Sequence, residues 1–254
     1  MSELLYEVRD GVGRLTFNRP QARNALTFAM YEGLREICAD MPTDGSVKAL
    51  ILSGAGGRAF AAGTDMTQFR AFETAEDAWA YEDRMEAVLE AVERCPVPTV
   101  AAITGACTGG GAGIAAACDI RVATPSLKFG FPIARTLGNC LSAANLARLS
   151  ALMGPARVKE MIFTARLVEA EEALRVGLVA EIVEDAEARA DEIAALLAGH
   201  APLTLRATKE AMRRLAAANR ADDRDLVAMC YTSADFKEGM EAFLAKRPPQ
   251  WRGA

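Results

Sequence analysis

The order of strand-like and helix-like segments constrains this chain more tightly than any other feature. Over the first 185 of its 254 residues, short apolar runs alternate with stretches of helical period. Two short strands, Leu4–Val8 and Val12–Phe17, flank Gly11 as a hairpin turn, and Asn18-Arg19-Pro20 ends the second. Thr27 begins a helical pattern that runs to about Asp40, with Met30, Leu34 and Ile37 on one face. Val47–Leu52 reads as a buried strand and residues 53–58 as a loop. A long helix follows from about Thr74 to Arg94, where Pro96 and Pro98 stop it. The buried strand Thr99–Ile103 leads into a glycine-rich loop and a helix of small residues over about Gly110–Ala117. Ile120–Ala123 and Leu127–Phe129 read as strands, and the pattern from Asn139 onward is helical apart from a strand near Leu178–Val183. Such alternation predicts βαβ units and an α/β fold over residues 1–185. Residues 186–254 read as helix after helix, rich in alanine, which either pack on the main body or form a subunit interface.

Composition removes several function classes. The net charge is −5, and Lys and Arg are scattered rather than clustered, so nucleic acid is not the expected partner. One phosphorylated small molecule remains compatible, because a helix N-terminus or a few cations suffice for it. The six cysteines (Cys38, Cys95, Cys107, Cys118, Cys140, Cys230) contain no C-x-x-C pair, and His200 is the only histidine. A mixed Cys/His zinc site is therefore not expected. The opening residues show no cationic stretch followed by an apolar run, and no apolar run reaches membrane-spanning length. The expectation is a reduced, cytoplasmic protein with no membrane partner.

Two segments point to chemistry. Arg58-Ala-Phe-Ala-Ala-Gly-Thr-Asp-Met66 places small residues, ending in Gly63, where a backbone can approach a ligand closely. Gly105-Ala-Cys-Thr-Gly-Gly-Gly-Ala-Gly-Ile114 follows a buried strand and opens a helix, whose first N–H groups favour negative charge. Two such loops converging would make a two-donor oxyanion hole, in which each donor stabilises a transition state by roughly 3 kcal/mol. Gly111-x-Gly113-x-x-Ala116 also fits a dinucleotide fingerprint, but residues 128–135 lack the acid that would hold a ribose. A P-loop would need a Gly-Lys step, which is missing. Taken alone, the glycine run reads first as a helix packed tightly through small residues.

The ordered set of segments says more. Asn18-Arg-Pro-Gln-Ala-Arg-Asn-Ala-Leu26, Ala59-Phe-Ala-Ala-Gly-Thr-Asp65, Pro98-Thr-Val-Ala-Ala-Ile-Thr-Gly105, Gly109-Gly-Gly111, Cys118-Asp-Ile120 and Phe243-Leu-Ala-Lys-Arg247 together resemble the crotonase superfamily, the enoyl-CoA hydratase/isomerase group. The resemblance implies a crotonase-like α/β spiral of ββα units with a helical C-terminal trimerisation region, assembled as a homotrimer or a dimer of trimers. It also implies an acyl-CoA thioester as substrate, with coenzyme A part of that substrate and no permanently bound cofactor. The oxyanion donors fall at the N–H groups of Thr64 and Gly110. Ala22, Arg23, Ala25, Ala62, Gly63, Asp65, Met66, Phe243 and Lys246 fall at positions that bind the acyl-CoA. Asp65 reads as a helix cap and loop anchor rather than a base.

The sequence departs from the hydratases at their two catalytic glutamates, whose positions hold Gly113 and Ile133. Neither residue transfers a proton, and such groups are commonly worth about 10²–10⁴ in rate each. Efficient two-glutamate hydration is therefore not expected. The same oxyanion site would serve decarboxylation, thioester hydrolysis or C–C cleavage, or the chain is a silent acyl-CoA binder. Three replacement groups are candidates. Glu86 lies on the long helix, although Glu82, Glu86 and Glu90 recur as a solvated face would. Arg135 has the planar fork to read an acyl carboxylate, or is a structural ion pair. Cys140 lies where a helix N-terminus would lower a thiol pKa, although most free cysteines are buried hydrophobes. His200 reads as a loop or interface residue, and Trp79 and Met85 as core or pocket lining.

Overall fold

The opening hairpin sets the edge of a six-stranded sheet. The structure, a computed structural model, describes residues 2–69, 74–217 and 224–251. Strands β1 (Leu4–Arg9) and β2 (Val12–Phe17) pair antiparallel. Helix α1 (Phe28–Ala39), whose first turn is capped by the Thr27 hydroxyl accepting from Met30 N, returns the chain so that β3 (Ala49–Gly54) lies parallel to β2. The short β4 (Ala59–Ala61) then leaves this sheet, and α2 (Ala75–Arg94) begins at a capping box of Thr74 and Asp77.

The next turns repeat this plan. Strand β5 (Thr99–Ile103) lies parallel to β3, β6 (Ala106–Thr108) lies parallel to β4, and α3 (Gly110–Ala117) follows. Strand β7 (Ile120–Ala123) lies beside β5 and β8 (Lys128–Gly130) beside β6, before α4 (Ile133–Thr136), α5 (Ala143–Met153) and α6 (Pro155–Phe163). Each turn thus gives one strand to a large sheet, one to a small sheet, and a helix, which is the expected ββα spiral. Strand β9 (Val168–Glu169) closes the small sheet antiparallel to β8, α7 (Ala170–Arg175) follows, and β10 (Glu181–Ile182) extends the large sheet beside β7. The sheet orders are β1-β2-β3-β5-β7-β10 and β4-β6-β8-β9.

Side-chain alternation along the large sheet explains how both of its faces are covered. Leu15, Phe17, Leu50, Leu52, Ala101 and Ile103 point into the main core with α1, α2 and α3. Val12, Ala49, Ile51, Val100, Ala102 and Val122 point the other way, onto α8 (Ala186–Ala198). Ala186, Ala190 and Ala194 keep that helix close to the strands. The first of the late helices therefore packs on the main body. Helices α9 (Pro202–Ala217), α10 (Arg224–Tyr231) and α11 (Ala234–Leu244) follow. No helix among the described residues is long and apolar enough to cross a membrane.

Two sequence readings change. Strands β4, β6 and β9 are two or three residues long and do not read as strands in the sequence, so of the small sheet only β8, expected over Leu127–Phe129, is anticipated. The strand expected over Leu178–Val183 shrinks to Glu181–Ile182, because Leu178 and Val179 turn back to hydrogen-bond the Ala173 carbonyl.

Candidate active site

Two loops meet backbone to backbone and leave two amides unused. The first loop, residues 19–25, is pinned by the buried Asn24, whose amide donates to the carbonyls of Ala55 and Ala59 at 3.0 and 2.8 Å. Beside it, Ala62 N donates to Arg23 O, Leu26 N to Gly63 O, and Asp65 N to Leu26 O. This ladder uses the Gly63 carbonyl, and the Thr64 N–H lies trans to it in the same peptide plane, so that N–H points the other way. Gly110 N–H is the first of α3, where an intrahelical acceptor does not exist. Among the described residues, neither amide donates a hydrogen bond. Gly63 and Gly109 bring them together: both have positive φ, and a Cβ on Gly109 would lie 3.3 Å from Gly63 Cα.

The glycine run serves both functions weighed for it. A Cβ on Gly111 would strike the Ala61 carbonyl oxygen at 2.3 Å, so Gly111 is a packing glycine. At Gly110 the obstacle is different: a Cβ would fall 1.8 Å from the Tyr31 hydroxyl. That hydroxyl and Thr64 Oγ1 are 2.8 Å apart, and Thr64 Oγ1 and the Tyr81 hydroxyl 3.0 Å. A chain of three hydroxyls therefore lies against the paired amides. Burial pushes the Tyr31 and Tyr81 phenols well above their ordinary values and keeps them neutral.

The amides open onto a cavity of about 660 Å³. Its wall carries one carboxylate among the described residues other than Asp65: Glu82 of α2. The Tyr231 hydroxyl donates to Glu82 Oε1 at 2.6 Å, and Asn139 Nδ2 donates to that hydroxyl at 3.0 Å. Burial first, and then the Glu82 charge, push the Tyr231 phenol up, so it stays a donor. Leu89, Phe131, Ile133, Leu141 and Leu167 supply apolar lining. Such a site can hold a carbonyl oxygen on two amides and present a carboxylate to the chain attached to it.

The expected site residues divide as follows. Ala22, Arg23, Ala25, Ala62, Gly63, Thr64, Asp65, Met66, Gly110, Gly113, Ile133, Cys140, Met85 and Phe243 line the cavity. Lys246 does not; it is exposed with a positive φ just after α11. Asp65 accepts from Thr67 N at 3.1 Å and from Arg19 Nη1 at 3.0 Å, as a loop anchor does. Glu86 is corrected: it is absent from the cavity wall and pairs with Arg148, which also binds Glu93. Its stripe faces protein rather than solvent, because α2 packs against α1, α3, α9 and α10. Arg135 is corrected too, being exposed on α4 and outside the wall. Cys140 lines the cavity, but its thiol hydrogen-bonds Cys230, and Cys230 is the thiol held down, at about 7, by that bond. His200 is exposed between α8 and α9, and the Trp79 indole donates to Arg224 O at 2.7 Å, away from the wall.

Sequence reasoning missed Tyr31, Tyr81, Glu82, Tyr231 and Asn145, all in the cavity wall. Glu82 was within reach, since it belongs to the same i, i+4 stripe as Glu86, one turn earlier. No local signal marks the tyrosines, which come from α1, α2 and α10.

Comparison with known proteins agrees with this geometry. The sequence profile described as Enoyl-CoA hydratase/isomerase matches residues 7–254. A short-chain-enoyl-CoA hydratase of Clostridium acetobutylicum is 33% identical, with 97% of this chain and 96% of that protein covered. A crystal structure of an enoyl-CoA hydratase/carnithine racemase from Magnetospirillum magneticum has 35% identity and a TM-score of 0.80, covering 100% of this chain and 97% of that one. A methylmalonyl-CoA decarboxylase in complex with 2-nitronate-propionyl-CoA superposes with a TM-score of 0.90 at 26% identity, covering 100% and 99%.

Proposed function

Because the chain belongs to the enoyl-CoA hydratase/isomerase family of the crotonase superfamily, we propose that it holds the thioester carbonyl of an acyl-CoA on the Thr64 and Gly110 amides and stabilises the enolate. The observation that carries this reading is the pair of amides left without acceptors where Gly63 meets Gly109, on the wall of a cavity. Donors fixed before reaction favour the charge that develops on the carbonyl oxygen, and cost no reorganisation when it forms. Glu82 is the proton-transfer group: it takes a proton from the acyl chain, or returns one, while Tyr231 fixes the orientation of its carboxylate. Gly113 and Ile133 leave no second carboxylate at the hydratase positions. The reaction class is accordingly one-carboxylate chemistry on a thioester enolate, such as double-bond migration, rather than two-carboxylate hydration.

The test is exchange of acyl-CoA α-protons in D2O, followed by mass spectrometry. Wild-type protein should exchange them with butanoyl-CoA, and Glu82→Gln should lose about 10²–10⁴ of that rate. Tight binding of acyl-CoAs without exchange would favour the silent binder instead. The likeness to the methylmalonyl-CoA decarboxylase supports a second reading, in which loss of CO2 makes the enolate and only its protonation needs a side chain. Release of CO2 from a 2-carboxyacyl-CoA, undiminished in Glu82→Gln, would decide for it.

A further inference from the structure

Opposite the position of the missing glutamate stands an amide. A Cβ placed on Gly113 would lie 3.6 Å from Asn145 Nδ2 and 3.5 Å from Leu89 Cδ1. Asn145 lies in the first turn of α5, and its backbone is fixed by Asn145 N donating to Ser142 Oγ at 3.2 Å. A residue at this helical position commonly reaches back to cap the preceding turn, but here the side chain faces the cavity. Its Oδ1 is buried and has no hydrogen-bond partner among the described residues. Asn139 Oδ1, in the same wall, is in the same condition. A buried polar atom without a partner destabilises a fold unless something satisfies it. The apolar residues of this wall, Leu89, Leu141 and Ile133 among them, offer no side-chain donor.

We propose that Asn145 is a specificity-determining residue that selects acyl chains bearing a hydroxyl group at the β- or γ-carbon. This rests on the acyl-CoA reading above and adds the chemistry of the acyl group. The position follows from helix geometry. Gly113 is three residues beyond Gly110 along α3, and so about 4.5 Å from the amide that holds the thioester oxygen. That distance is a few bonds along an acyl chain. The hydroxyl follows from the orphan acceptor: it donates to Oδ1 and accepts from Nδ2, which a ketone or an alkyl chain does not do. A neutral group follows from the charges in the wall. Glu82 shares it, and the one described cationic residue lining the cavity, Arg23, is exposed. An acyl carboxylate would meet Glu82 without a buried cation to offset it.

Calorimetry on the full chain tests this with butanoyl-CoA, 3- and 4-hydroxybutanoyl-CoA, glutaryl-CoA and free coenzyme A. One of the hydroxyacyl-CoAs should bind about ten-fold more tightly than butanoyl-CoA, the worth of one well-made neutral hydrogen-bonded contact. Asn145→Leu should abolish that preference, so that the hydroxyacyl-CoAs and butanoyl-CoA bind it equally. Asn145→Ser, whose shorter side chain introduces a hydroxyl able to donate and accept, should retain part of it. Equal binding of all acyl-CoAs, a preference that survives in Asn145→Leu, or preference for glutaryl-CoA would overturn the assignment alone. Failure of every acyl-CoA to bind would overturn the acyl-CoA reading and this assignment with it.

Discussion

Replacing Gly110 by alanine tests the geometry of the amide pair through its tightest contact. The added methyl would fall 1.8 Å from the Tyr31 hydroxyl oxygen, 3.0 Å from Tyr31 Cζ and 3.3 Å from Thr64 Oγ1. Ordinary contact distances are about 3.5–4.0 Å, so the phenol must move by well over an ångström. Tyr31 is 1% exposed, which leaves it little room to move. Its shift breaks the 2.8 Å bond to Thr64 and disturbs both amides together. Overpacking of this kind costs about 1–3 kcal/mol of stability. Displacing one oxyanion donor lowers turnover by about 10²–10³. The specific check is rescue. Tyr31→Phe removes the obstructing oxygen, and alone should cost about 1 kcal/mol, since Thr64 keeps its bond to Tyr81. The double variant should then be more stable than the two single effects predict, by about 1–2 kcal/mol of coupling. It should also recover part of the α-proton exchange. Urea unfolding and the exchange assay report the two quantities. Strictly additive stabilities, or a Gly110→Ala protein with wild-type exchange, would refute the reasoning.

Other outcomes follow from the same wall. Wild-type protein should hydrate crotonyl-CoA at least about 10²-fold more slowly than an efficient two-glutamate hydratase, measured by loss of the enoyl absorbance. Gly113→Glu combined with Ile133→Glu should raise that rate, because a Cβ at Gly113 meets only ordinary contacts. Glu86→Gln should cost about 1–3 kcal/mol in urea unfolding by weakening the hold on buried Arg148, with α-proton exchange unchanged. Glu172 supplies the pH test: hydrogen bonds from Arg166 first, then the charges of Arg166 and Arg157, hold its carboxyl below the ordinary value against the opposing effect of burial. A depressed folded-state pKa stabilises the fold above the unfolded value of about 4.3, and the gain is lost as pH falls through the folded value. Wild type should therefore exceed Glu172→Gln in stability at neutral pH, and the curves should converge in acid.

Much of the fold was legible because its large sheet is built from runs long enough to show a period. Val12–Phe17, Ala49–Gly54 and Thr99–Ile103 are each five or six residues of mostly apolar character and appear near their expected bounds. Of the small sheet only β8 was legible, because strands such as Ala59–Ala61 and Ala106–Thr108 are too short to display alternation. Their pairing is set by the strands before them: β3 and β5 already lie side by side, so the chain leaving each must run beside its neighbour. The amide pair was legible for a different reason. A positive φ and close backbone approach require glycine, so Gly63 and Gly109 mark it in the sequence itself.

Proton-transfer residues leave no such mark, since a glutamate on a helix reads the same in solvent as in a cavity. The stripe Glu82, Glu86 and Glu90 shows this within one helix. Its regular spacing suggests one environment, yet the three carboxylates meet Tyr231, Arg148 and Arg94 in turn. What distinguishes them is the partner brought up to each: α10 to Glu82, α5 to Glu86, and Arg94 of α2 itself with Arg213 of α9 to Glu90. In the proposed reading, Gly113 and Ile133 at the positions expected for carboxylates and the presence of Glu82 are two parts of one arrangement. With small and apolar residues at the hydratase positions, the acyl chain can lie close to α3, and its proton partner must approach from α2, across the cavity. Asn145, beside Gly113, would then supply a polar group that binds but does not ionise. Under the proposed function, a site built this way would keep an oxyanion hole while separating proton transfer, at Glu82, from recognition of the acyl chain, at Asn145.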